Sequence, residues 1–189
     1  GMQGANGCKA TYCFQDEKNF ADEDVGDMTL QCSRRADSFK LWLLWQAIGD
    51  AGLSWRVDRA MELSAFFART LGDAKAMRAL GVAGSFVMWR EQAPFFCNVC
   101  FYYVPPALTE LKGTPFWDLG EEDERCKRIK KVAPYIKDRM QRRGTCGMVG
   151  FCGQHNLFRL VLASPIGLED SDMTDLIIAV DAEGRDYKE

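Results

Sequence analysis

An α/β fold, with helices packed on one side of a short, mostly antiparallel sheet, is predicted by the order of hydrophobic patterns along the chain: helix, helix, strand, strand, helix, strand, strand, helix. Three observations carry this prediction. Apolar residues recur at i, i+3, i+4 and i+7 in several segments, which is the spacing of one helix face. Between those segments lie short aromatic and β-branched runs, the longest stopped by Pro105-Pro106, which offer no N–H to a ladder. The composition, 47% hydrophobic and 27% charged over 189 residues, suits a hydrophobic core of ordinary size.

The first 35 residues are polar, punctuated by Gly4, Gly7, Gly26 and Asp27, and read as loop with at most short strands. ADSFKLWLLWQAIG follows, apolar on nearly every side, as in a helix buried all round, with Gly49 placed to end it and Asp50 to cap the next. In that next helix Leu53, Val57, Ala60, Met61, Ser64, Phe67 and Leu71 form the expected buried stripe. A less regular stretch, 72–94, contains a short strand over 85–90, and the strand over 95–104 comes next.

After a loop rich in Gly, Pro and acidic residues, ERCKRIKKVAPYIKDRMQRRG carries Ile129, Val132, Ala133, Ile136 and Met140 on one helical stripe. Pro134 sits inside it, so the helix must kink or begin afresh near Val132. Its basic residues read as a solvated face rather than a nucleic-acid patch, and a net charge of −3 gives no bulk attraction to nucleic acid. Strands over 148–151 and in NLFRLVLAS precede a last helix, capped by Ser171 and buried through Met173, Leu176, Ile177 and Val180.

Some function classes are disfavoured at this level. The most apolar segment, 39–48, is about half of the ~20 residues that span a bilayer. Eight cysteines are scattered through apolar surroundings, as buried free thiols are. The one C-x-x-C, Cys97 to Cys100, lies in a strand, where residues three apart face opposite ways, and His155 is the only histidine, so no metal site is predicted.

Two residues do not fit a plain core. Arg159 occupies the middle of NLFRLVLAS, on the face of Leu157 and Val161 and opposite Phe158, Leu160 and Leu162. A guanidinium keeps its proton, so an anion must meet it there: an internal carboxylate, or the carboxylate of a bound ligand gripped by two parallel hydrogen bonds. Tyr12, in ATYCFQDEK, either pins its loop to the core or serves as a phenol that delivers a proton when a loop closes and excludes water.

Taken in order, ATYCFQDEK, VGDMTLQCSRRADSFKLWLLWQAIGDAGL, NVCFYYVPPAL, KVAPYIKDRM and NLFRLV resemble the C-terminal part of a group II pyridoxal-phosphate decarboxylase. The resemblance is strongest to the branch acting on acidic amino acids, the glutamate and cysteine sulfinate decarboxylases. It implies the small C-terminal domain of a fold-type I pyridoxal-phosphate enzyme. Residues 1–35 then form the end of a large cofactor domain with the catalytic loop, 36–72 are linker helices and 73–189 are the small α/β domain.

It further implies a cytoplasmic homodimer in which the loop around Tyr12 closes over the partner's site and its phenol protonates the substrate carbon vacated by CO₂. The cofactor, pyridoxal 5'-phosphate, serves such enzymes as an electron sink. By the same resemblance Arg159 binds a substrate carboxylate and Ser33, in CSRR, lies close to the substrate, although a simple turn or cap hydroxyl is an equal use for Ser33. The lysine that holds the cofactor in such enzymes belongs to a His-Lys pair a short distance before the tyrosine loop. The chain contains no His-Lys, so that Schiff-base lysine is expected upstream of Gly1, and no cofactor-binding residue is expected within the chain. The polypeptide alone is therefore expected not to decarboxylate. The competing expectation is a non-catalytic interaction protein that keeps the dimer-forming surfaces.

Overall fold

The computed structural model describes residues 37–91, 96–144, 149–151 and 156–188. The chain divides into two compact units, residues 1–57 and 58–189.

The described part of the first unit is helical and belongs to α1 (Asp37–Gly72). Gly49, at φ 64° and ψ −177°, interrupts it with a kink. Only glycine occupies that region of backbone space without strain. The helix end expected at Gly49 is met there, where two helical stretches join across its positive φ, and the Asp50 carboxylate accepts the indole N–H of Trp45 at 2.5 Å. Before the kink the expectation of a helix buried all round is overturned. Phe39, Leu41, Trp42, Leu43, Leu44 and Trp45 all stand exposed, Phe39 at 57%, because apolar character on every side records what a helix is built to meet and this chain presents that surface uncovered.

The second unit holds the sheet. Beyond residue 58, α1 buries Ala60, Leu63, Ser64, Phe67 and Leu71, and Arg59 reaches the Leu168 carbonyl at 3.2 Å and Asp170 at 3.3 Å. The stripe read from sequence is shifted: Val57 and Met61 are exposed and Leu63 is buried, since one ladder of i+3 and i+4 steps fits either of two adjacent helix faces. Asp73 caps the short α2 (Ala74–Ala79) by accepting from the Lys75 N–H.

Strands β1 (Ser85–Met88), β2 (Asn98–Val104), β3 (Val149–Phe151) and β4 (Leu157–Val161) form one antiparallel sheet in the order β1-β2-β4-β3. Both early strands are shorter than expected. The first gives way to a 3-10 turn at Trp89–Glu91, with Arg90 at φ 58°, and Pro106 opens a second 3-10 turn, Pro106–Leu111.

Successive side chains of β2 look to opposite faces, and both faces are dry. On one, Phe101 packs on Phe67, Phe86 and Phe158 with ring centroids 5.3–5.8 Å apart, and the Tyr103 hydroxyl donates to Asp181 at 2.8 Å. On the other, Tyr102 packs on Phe116 of the 3-10 turn Phe116–Asp118 at 4.9 Å.

The basic segment makes two helices, α3 (Glu124–Ile129) and α4 (Val132–Arg142). Pro134 falls in the first turn of α4, where an N–H has no intrahelical acceptor anyway, so the new start near Val132 is realised as expected. Ile129, Val132, Ala133, Ile136 and Met140 are all buried.

The last helix, α5 (Asp170–Gly184), corrects one expectation. Glu169 is its N-cap and Ser171 lies inside it, because Asp172 accepts the Glu169 backbone N–H at 2.6 Å and so completes the entry two residues before the serine. Its C-terminal half carries two buried carboxylates. Asp181 accepts from the backbone N–H groups of Ala83 and Gly84, from Tyr103 and from Arg185; Glu183 accepts from Arg139 and Arg143. Gly84 must lack a side chain, since a Cβ there meets the Tyr103 ring and hydroxyl.

Candidate substrate-binding site

Of the site residues expected from the sequence, Arg159 lies among the described residues. It sits at the centre of β4, paired with Cys100 of β2 on one flank and Val149 of β3 on the other. Alternation along β4 gives the pattern read from sequence, with Phe158, Leu160 and Leu162 buried opposite it, while Arg159 is half-buried and Val161, beyond it on the same face, is exposed. The guanidinium therefore stands where a dry sheet face opens toward solvent. An ion held there keeps most of its strength without the full cost of interior burial.

Cys100 is the neighbour that sequence reasoning passed over. Its thiol lies 4.0 Å from the Asn98 Oδ1 and is half-buried. Burial pushes its pKa up, and the positive charge of Arg159 draws it partly back down. The upward push is the larger, so the sulfur stays protonated and brings no negative charge to the strand face. Period-2 alternation identifies Cys100 as sharing a face with Tyr102, but only the β2–β4 register sets it beside Arg159.

Tyr12 and Ser33 lie outside the described residues, and so does Gly1, before which the cofactor-holding lysine is expected. Cys97 immediately precedes β2 and its carbonyl accepts from the Leu162 N–H; among the described residues no three His, Cys, Asp or Glu side chains gather as a metal site would need. No described helix is long and apolar enough to cross a membrane.

The family described as the pyridoxal-dependent decarboxylase conserved domain matches residues 1–103, more than half of the chain. The chain belongs to that family. Among relatives of this chain, the mouse acidic amino acid decarboxylase GADL1 is 37% identical over 94% of the chain, and the rat cysteine sulfinic acid decarboxylase 33% identical over 98%. A crystal structure of mouse CSAD matches with a TM-score of 0.62 at 31% identity, over 98% of this chain and 34% of that one. The chain spans about a third of the length of these relatives, 29% of the mouse GADL1 and 34% of the rat enzyme. Arg159 falls beyond the matched family domain but within the stretch shared with the relatives.

The family's cofactor is pyridoxal 5'-phosphate, and the described residues do not fit it. A lysine that carries the cofactor must shed its charge in a desolvated setting. Every described lysine is exposed or half-buried: Lys40, expected in a buried helix, stands exposed, as do Lys75, Lys112, Lys130, Lys131 and Lys188, while Lys127 and Lys137 are half-buried.

Proposed function

We propose that this chain supplies the substrate-gripping strand and the proton-delivering loop of a carboxy-lyase that converts an acidic amino acid, glutamate, aspartate or cysteine sulfinate, to its amine and CO₂, acting in the cytoplasm. The observation that carries this reading is Arg159: a guanidinium on a half-buried strand face, beside a neutral thiol. Family membership supports the reaction class. The names of two relatives, one an acidic amino acid decarboxylase and the other a cysteine sulfinic acid decarboxylase, support the charge of the substrate.

In this reading the planar fork of Arg159 receives a substrate carboxylate through two charge-assisted hydrogen bonds. Tyr12 gives its phenolic proton to the carbon from which CO₂ has left, so that a C–C bond is exchanged for a C–H bond at that carbon. Ser33 stands close to the substrate. The lysine that holds the cofactor is contributed from upstream of Gly1.

The test uses the complete enzyme that carries this sequence. Arg159→Lys keeps the charge and loses the fork, costing about 1.5–3 kcal/mol, so KM for the acidic substrate rises about tenfold or more. An unchanged KM sinks the assignment. Tyr12→Phe removes the proton donor and lowers amine formation by about a hundredfold or more, with a rising share of aldehyde product. A variant with wild-type rate and product ratio removes Tyr12 from the chemistry.

The exposed apolar helix before Gly49 fits the homodimer that the reading requires, because Phe39, Leu41, Trp42, Leu43 and Leu44 offer a contiguous sequence of anchors of the kind that protein interfaces use. A non-catalytic interaction protein uses the same surface, and the two Arg159 and Tyr12 variants separate the readings.

A further inference from the structure

We propose a second ligand site in this chain, for an amphipathic monocarboxylate, in the cavity between the end of α1, α2, the entry to β1 and Lys112. It is independent of Arg159 and of the decarboxylase reading. The cavity holds about 400 Å³, within the range of small-molecule sites. It exists because Gly72, Ala74 and Ala83 line it with little or no side chain, and because Gly84, held short by Tyr103, adds none.

Its lining has two halves. Leu71, Met77, Val82 and Phe86 supply an apolar wall, and Arg78 and Lys112 supply two positive charges. No Asp or Glu lines it; the nearby Asp73 turns its carboxylate to the Lys75 N–H at 2.8 Å, as the cap of α2.

These two charges share one cavity, whereas other cations without a carboxylate partner among the described residues, such as Arg69 and Lys75, do not line it. Elsewhere in the second unit, Arg59, Arg125, Arg128, Arg139, Arg142, Arg143 and Arg185 each meet a carboxylate, and Lys127 meets two. Among the described residues neither Arg78 nor Lys112 has a carboxylate partner. Two cations left without carboxylates over an apolar wall match a ligand with one anionic head and a compact hydrocarbon body. The head takes charge-assisted hydrogen bonds from Arg78 and Lys112, and the body replaces water on Met77, Val82 and Phe86. A dianion without an apolar part leaves the wall wet, and a neutral lipid leaves the cations unanswered.

Octanoate serves as the probe, titrated calorimetrically into the full chain, with acetate and octanol as its two halves. The expected result is saturable binding of one octanoate, with acetate and octanol each at least about tenfold weaker. Arg78→Met and Lys112→Met, both on exposed side chains, weaken octanoate about tenfold each, while Lys75→Met, a cation that does not line the cavity, leaves it unchanged. Circular dichroism of each variant confirms that the fold is kept. Absence of saturable binding overturns the site, as does equal binding in the Arg78 and Lys112 variants, or an equal loss with Lys75→Met.

Discussion

At the scale of single residues, the buried acids of α5 tie distant parts of the second unit together. Asp181 is 1% exposed and holds four donors, so Asp181→Ala leaves Arg185 and the Ala83 and Gly84 N–H groups without their acceptor. The expected loss is about 3–5 kcal/mol, read as a drop in urea midpoint without a change in slope. Asp181→Asn, which keeps an acceptor oxygen, loses less.

Tyr103 beside it, and Tyr102 on the other face of β2, give a pH dependence of definite sign. Burial, more than any neighbour, pushes Tyr102 and Tyr103 well above the usual phenol range, and for Tyr103 the hydrogen bond to Asp181 adds to it. The folded chain keeps these protons where the unfolded chain, titrating near ~10, gives them up. Stability is therefore whole below pH ~10 and declines as pH rises beyond it. Denaturant curves at a series of alkaline pH values check this, and Tyr103→Phe flattens the decline. Neither acid cluster was legible in the sequence. Arg159 was, because one guanidinium in an apolar strand violates the local pattern, whereas Asp181 and Glu183 sit among charges near a helix end, where carboxylates are ordinary.

At the scale of elements, punctuation was legible and register was not. Pro134 announced the break before α4 because a missing N–H is a local fact, and Gly49 announced the end of the first helical stretch because its freedom to take a positive φ is local too. Gly49→Ala puts a Cβ into a glycine-only backbone region, at an expected cost of about 1–3 kcal/mol with no packing clash to blame, since nothing lies within 4 Å of the new atom. A thermal melt of that variant shows the loss; an unshifted melt means the kink relaxes. Ser171 was misread because capping depends on which residue leaves helical backbone first, and Asp172 decided that by reaching back to Glu169. The pairing of Cys100 with Arg159 depends on the β2–β4 register across a long sequence gap, which alternation alone leaves open.

At the scale of the whole molecule, the family and the antiparallel α/β architecture were readable from five quoted segments, and a family match over residues 1–103 with a TM-score of 0.62 to mouse CSAD agrees with both. What the composition concealed is how much apolar surface remains open. A run of Phe, Leu and Trp reads as core, yet Phe39, Trp42 and Leu43 are 57%, 55% and 47% exposed. The homodimer proposed for the enzyme predicts that Trp42→Glu with Leu43→Lys lowers its mass in sedimentation and leaves the second unit's denaturation midpoint unchanged. Sedimentation unchanged by the pair places the dimer contact elsewhere.

The single carboxylate of Asp181 also sets an order of events during synthesis. Ala83 and Gly84 leave the ribosome almost a hundred residues before the acceptor of their N–H groups does, at separations of 98 and 97. The leading edge of the sheet thus stays unlatched until α5 has emerged. A premature stop just ahead of that acid yields most of the hydrophobic interior with an open clasp, a product that quality-control proteases clear faster than the chain that carries Asp181.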